Sequence, residues 1–189
     1  LITGNIRKNN SYRIDIVINA IKEVIKINKN IHLYIAGEIE EFGYFVSKVR
    51  KLKLDNFVTF LGKYSQKDAP SIYQMANAYI TMSYQDNCPS TVIEAMSCGL
   101  PILYSSSGGI PELVGGKAGI GLNVPENWER IYYPNLENII EGILQIIEGQ
   151  EIMSKYARER ALSFFDLEDW IKRHQEIFSM LLDKKSNLF

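Results

Sequence analysis

Short apolar runs alternate along the chain with longer stretches in which apolar residues return every third or fourth position. The runs Leu1–Gly4, Ile31–Ala36, Phe57–Leu61, Ala78–Met82, Ile102–Ser105 and Gly119–Leu122 read as buried strands. Between the first two, Ile14, Val17, Ile18, Ile21, Val24 and Ile25 keep helical spacing and predict an amphipathic helix. Phe42–Leu54 predicts a second helix, and Lys67–Ala76, entered through Asp68-Ala69-Pro70, a third. Pro89–Cys98 predicts a fourth, with Pro89 at the first helical position and Gly99-Leu100-Pro101 as the stop. This order predicts an α/β fold: a Rossmann-like parallel sheet of about six strands with helices on both faces.

After Gly121 the pattern changes. Asn135–Gly149 and Glu151–Phe164 read as two helices, and Leu167 to about Leu182 as a last one. On that last helix Trp170, His174, Ile177, Phe178 and Leu181 form one apolar stripe, and Asp183–Phe189 is expected to fray. The expected organisation is one α/β domain over 1–165 and a helix with a tail over 166–189.

Composition narrows the partners. With 46% apolar and 23% charged residues in 189, the chain has the balance of a folded globular domain rather than a disordered one. Its 21 basic and 22 acidic residues are scattered, so no broad positive field invites nucleic acid or an anionic membrane. Cys88 and Cys98 have no companion pair of Cys or His at metal spacing, which argues against a zinc site or a disulfide framework and favours a reducing, cytoplasmic setting. No apolar run approaches the roughly 20 residues of a membrane span. The chain opens on what reads as a strand already under way, suggesting a piece of something longer.

The chemistry is expected where strands feed helices, at the carboxyl edge of the sheet. In Ser83–Pro101, Asp86 precedes a helix start and Glu94 lies within the helix. Side chains lean back toward a helix N-terminus, so Glu94 could reach the same loop, where Asn87, Cys88, Ser90 and Thr91 offer amides around Pro89 at a positive helix end. Carboxylates accept paired hydroxyls of a sugar or ribose. Thr91-Val92-Ile93-Glu94 also matches a capping box, in which Glu94 would return a bond to a backbone amide. Ser105-Ser106-Ser107-Gly108-Gly109 either lets the backbone approach a ligand or makes an ordinary turn. Gly4 followed by Arg7, Lys8 and Arg13 either gathers cations for a diphosphate or forms a solvated loop. Gly37-Glu38 and Gly62-Lys63-Tyr64 occupy the same edge and could meet a nucleobase, whereas His32 and His174 read as structural.

Together these pieces resemble the C-terminal, nucleotide-sugar-binding domain of retaining GT-B glycosyltransferases, the group 1 family, over nearly the whole chain. The resemblance is carried by Asp86 and Glu94 with seven residues between them, by Ala95-Met96-Ser97-Cys98-Gly99-Leu100-Pro101, and by Gly108-Gly109-Ile110-Pro111-Glu112. Phe60-Leu61-Gly62, Asn56-Phe57-Val58 and Ala36-Gly37-Glu38 add to it. It implies that Glu94 binds donor ribose, that Asp86 and the 87–90 amides meet the transferred sugar or phosphates, and that Gly62–Tyr64 line the base. It further implies a nucleotide diphosphate sugar as donor, no metal or other cofactor, and a glycan or lipid acceptor held mainly by an N-terminal domain outside this chain. Peripheral contact with the inner face of a membrane is left open for the intact enzyme. The family usually carries glutamate where this chain has Asp86. It often has Gly-Arg and Lys-Gly where this chain has Gly4-Asn5 and Tyr12-Arg13, so Arg7, Lys8 or Arg13 would substitute as phosphate-binding cations. A nucleoside-diphosphate-sugar epimerase and a degenerate, non-catalytic interaction domain are the alternative readings.

Overall fold

The computed structural model describes residues 1–7 and 13–186; Lys8, Tyr12 and the end of the tail lie outside the described residues. In chain order the elements are β1 (Ile2–Thr3), α1 (Ile14–Val24), β2 (Leu33–Ala36), α2 (Phe42–Lys51), β3 (Val58–Gly62), α3 (Ala69–Gln74), β4 (Tyr79–Thr81), α4 (Ser90–Ser97), β5 (Ile102–Ser106), α5 (Ile110–Val114), β6 (Gly119–Asn123), α6 (Leu136–Phe164) and α7 (Leu167–Ser186). Each apolar run read as a strand overlaps one, and among the described residues every pairing is parallel.

The strands form two three-stranded sheets, β1-β2-β3 and β4-β5-β6, rather than the single six-stranded sheet expected. The seam lies between β1 and β4, where the Ile80 N–H donates to the Leu1 carbonyl at 2.8 Å and the Leu1 nitrogen to the Ala78 carbonyl at 2.9 Å. Past Leu1 the link passes through side chains: Thr3 Oγ1 lies 3.1 Å from the Tyr79 hydroxyl. A two-residue strand is too short to carry a ladder across that join. From this seam the chain winds outward one way through β2 and β3 and the other way through β5 and β6, so the carboxyl ends of β1 and β4 flank a topological switch point.

Two-residue periodicity within the strands assigns side chains to two cores. Leu33, Ile35, Ile80, Met82 and Leu103 face α1, α2 and the first half of α6, while Ala36, Tyr79, Ile102 and Tyr104 face α3, α4, α5 and the second half of α6. Helix α6 serves both: Ile139, Ile143 and Ile146 are buried in the first core, Ala157 and Ala161 in the second. It is one helix of 29 residues where two were expected. Gly149 reads as a stop, but a helix ends at glycine by adopting positive φ, and Gly149 is not among the residues that do. An interior glycine costs only about 1 kcal/mol. Beyond it, Ser154 Oγ donates to the Gly99 carbonyl at 2.6 Å and Arg160 Nε to the Leu113 carbonyl at 2.5 Å, tying the second half to the ends of α4 and α5.

The entry of α6 is capped by Asn135, whose side-chain oxygen accepts from the Asn138 N–H at 2.8 Å. Asn135→Ala should therefore cost about 1 kcal/mol. In a thermal melt that loss appears as a Tm lower by about 2–4 °C for a chain of this size. An unchanged Tm would mean the cap contributes nothing.

Helix α7 continues past the expected fraying point to Ser186. Its apolar stripe is uncovered: Trp170, Ile177, Phe178 and Leu181 are each half or more exposed. No helix among the described residues is long and apolar enough to cross a membrane.

Candidate functional site

At the carboxyl edge, over the switch point, lies a cleft of about 250 Å³ lined by Gly4, Asn5, Gly37, Glu38, Lys63, Tyr64, Gln66, Ala69, Thr91 and Glu94. The β–α junctions after β1, β2 and β3 contribute to it, together with the first turns of α4. A larger cavity of about 460 Å³ opens at the opposite edge, between the starts of β2 and β4, and is walled largely by core residues such as Leu33, Ile80 and Ile146. Among the described residues no carboxylate, lysine or arginine lines that cavity, and it faces away from the strand ends where helix N-termini converge.

Glu94 forms one wall of the cleft. Helix α4 starts at Ser90 with Pro89 as its N-cap, one position later than the sequence suggests. Pro89 sits at ψ 115°, outside the helical range, so Glu94 is the fifth helical residue and its side chain leans back over the first turn. The capping-box alternative does not hold. Among the described residues no backbone amide bonds to the Glu94 carboxylate; the Tyr73 hydroxyl donates to its Oε2 at 2.9 Å. Tyr73, on α3, is buried, and its hydroxyl also lies 3.2 Å from Thr3 Oγ1. Burial, helped by neighbouring Tyr79 and Glu94, raises the Tyr73 pKa far above the ordinary phenol value and keeps the proton on the donor.

Asp86 sits elsewhere. It does not line the cleft; Ser83 Oγ donates to its Oδ2 at 3.2 Å, and its loop is clamped from two sides. Tyr84 bonds through its hydroxyl to the Pro125 carbonyl at 2.8 Å and the Asn127 N–H at 2.9 Å, while Gln85, held at φ 54°, donates from its side chain to the Asn127 carbonyl at 2.9 Å. From the other side Gly109 N–H donates to the Asp86 carbonyl at 3.0 Å. A Cβ at Gly108 would stand 2.6 Å from the Asp86 carbonyl oxygen, and one at Gly109 would stand 1.9 Å from that of Asn87. The close approach these glycines permit is thus to the chain's own 85–87 loop. They lead into the short α5, a helix the apolar periodicity does not mark.

Gly37 has the same relation to β1: a Cβ there would lie 2.1 Å from the Gly4 carbonyl oxygen. Gly62, at φ 77°, has open space around it and lies just outside the cleft lining. Asn87, Cys88 and Ser90 are exposed at the mouth of α4.

Among the described residues the candidate cations are committed to partners. Arg7 pairs with Glu40 at 2.8 Å and Lys63 with Glu38 at 3.1 Å, both on the surface. Arg13 pairs with Asp15 at 2.9 Å, which holds its guanidinium pKa above the ordinary value, and it stacks over the Tyr133 ring at 4.4 Å. Gln66, Ala69 and Tyr73 are site residues the sequence reading missed. Their signal was present, because α3 begins where β3 ends on the same edge, and Tyr73 stands one turn after Ala69.

Residues 3–161 match the family model described as glycosyl transferases group 1. The chain belongs to that family. Among its relatives, the N-acetyl-alpha-D-glucosaminyl L-malate synthase of Bacillus anthracis is 24% identical over 179 residues, which cover 93% of this chain and 44% of that protein. Sucrose-phosphate synthase from Thermosynechococcus elongatus superposes with a TM-score of 0.76 at 21% identity, over 97% of this chain and 46% of that one. Anabaena HepE, solved in complex with UDP, superposes at 0.72 with 21% identity, over 95% and 48%. The two solved structures share the fold, and this chain spans less than half of each relative named.

Proposed function

We propose that the cleft binds a nucleoside diphosphate sugar and that this chain is the donor-binding half of a retaining glycosyltransferase, the acceptor glycan or lipid being held mainly by the rest of the protein. The observation that carries this reading is Glu94, a carboxylate that accepts from the Tyr73 phenol and faces a cleft at the switch point of a group 1 domain. An ionised carboxylate has about four acceptor sites, so a ribose diol can use those the Tyr73 hydroxyl leaves. The base lies against Gly37, Glu38, Lys63 and Tyr64, and the diphosphate at Gly4 and the N-terminus of α4, whose amides are oriented for an anion. HepE and its bound UDP make uridine the first choice of base.

Asp86 and the amides of Asn87, Cys88 and Ser90 meet the transferred sugar in this reading, on the loop that Tyr84 and Gln85 clamp. Arg7 is an exposed cation whose surface pair is worth about 0–1 kcal/mol, so an incoming diphosphate can compete with Glu40 for it. Arg13 is more enclosed and gives up Asp15 less readily. Charge developing on the departing diphosphate is then stabilised electrostatically, without a metal.

Calorimetric titration with uridine, guanosine and adenosine diphosphate glucose tests the reading. Saturable binding is expected, tightest for the uridine donor. Absence of saturation by all three at millimolar concentration would remove the donor pocket.

A further inference from the structure

We propose that Tyr73 is a positioning residue for ribose recognition, aiming the Glu94 carboxylate into the cleft; the inference rests on the donor-binding reading above. Tyr73 is 1% exposed and part of the second core, so its ring would be accounted for by packing alone. Its hydroxyl would not. The phenolic oxygen stands 2.9 Å from Glu94 Oε2 and 3.2 Å from Thr3 Oγ1, and Thr3 Oγ1 is in turn 3.1 Å from the Tyr79 hydroxyl.

The direction of these bonds follows from the chemistry. An ionised Glu94 can only accept, and Tyr73 has one proton, so that proton lies on the bond to Glu94. Thr3 then donates to the Tyr73 oxygen, and Tyr79 supplies the bond to Thr3, by Oγ1 or by its carbonyl 3.4 Å away. Donors aligned this way polarise one another toward the carboxylate. The relay joins β1, α3, β4 and α4, so the strands flanking the switch point set the direction of the acid.

The consequence is rotational. A half-buried glutamate on the first turns of a helix has several side-chain rotamers, and recognising two adjacent hydroxyls requires one plane of the carboxylate. The phenol holds Oε2 and leaves Oε1 and the remaining lone pairs to the ligand. Without it the acid stays near the cleft but loses its fixed orientation.

The test compares UDP with 2′-deoxy-UDP by calorimetry on the purified chain and on Tyr73→Phe, Thr3→Val, Glu94→Ala and Tyr104→Phe. Loss of one charge-assisted hydrogen bond corresponds to roughly a ten-fold loss of affinity, so Tyr73→Phe should weaken UDP about ten-fold while hardly changing binding of the deoxy analogue. The ribose preference should collapse toward that of Glu94→Ala. Thr3→Val, which removes the support behind the phenol, should shift the ratio the same way by a smaller factor and serves if Tyr73→Phe does not fold. Tyr104→Phe deletes another buried phenol of the same core and should leave the ratio unchanged. A purely structural Tyr73 would lower Tm and leave the ratio intact, which overturns the inference while the donor reading stands. A parent chain that binds UDP and its deoxy analogue equally also overturns the inference, whereas a parent chain that binds neither removes the donor reading.

Discussion

Glu94→Ala is expected to reduce affinity for UDP by about 100-fold with a Tm change of no more than a few degrees. Each hydrogen bond to a charged acceptor contributes roughly 1.5–3 kcal/mol. Two ribose hydroxyls on one carboxylate act as a unit and do not sum in full, so about 3 kcal/mol is the expected total, a factor of roughly 100. The fold should tolerate the change. Glu94 is only half-buried, and the Tyr73 hydroxyl that loses its acceptor still has Thr3 Oγ1 at 3.2 Å. Glu94→Gln keeps one acceptor oxygen and should fall between the two, near a ten-fold loss. Titration calorimetry beside a thermal melt separates the effects; equal binding by Glu94→Ala and the parent would mean the ribose contacts something else.

The second large effect is on stability. Gly37→Ala should lower Tm by about 6–12 °C, from a loss of roughly 3 kcal/mol at 2–4 °C per kcal/mol for a chain of this size. Gly37 directly follows β2 at φ 122°, where an L side chain is strained by roughly 1–3 kcal/mol. Its added methyl would also stand 2.1 Å from the Gly4 carbonyl oxygen, a backbone atom that cannot swing aside. The strands are locked there by Gly4 N–H to the Ala36 carbonyl at 3.2 Å and Gly37 N–H to the Gly62 carbonyl at 2.8 Å, so the methyl prises β1 from β2 at the floor of the cleft. Gly62→Ala is the internal comparison. It carries the strained φ of 77° but meets nothing within 4 Å, and should cost only about 1 kcal/mol. Equal melting of the two variants would show that the close approach to Gly4 carries no weight.

This pair of glycines shows what a linear reading can and cannot carry. Both stand at the end of a strand run, so the sequence marks each as a turn, yet only three-dimensional neighbours distinguish a glycine required by contact from one required by φ alone. Gly108 and Gly109 extend the point. The sequence marks them as a ligand approach or an ordinary turn, whereas the backbone they approach, that of Gln85 to Asn87, is more than twenty positions away in the chain. The same separation explains Tyr73. One turn of helix places it facing inward, but nothing local reveals that Glu94 and Thr3 will meet its hydroxyl.

By itself the sequence determined the order of the strands, most of the helices, the parallel pairing and the edge at which the candidate cleft lies. Those properties follow from periodicity and from Gly, Pro and acid placement, which act over a few residues. The tertiary structure decided the division of the sheet at a two-residue β1, the unbroken course of α6 across both cores, the pairing of Arg7 and Arg13 with their own carboxylates, and the separation of Asp86 from the cleft that holds Glu94. Each depends on which distant atoms compete for the same space or charge, and such competition is settled only when the chain is packed.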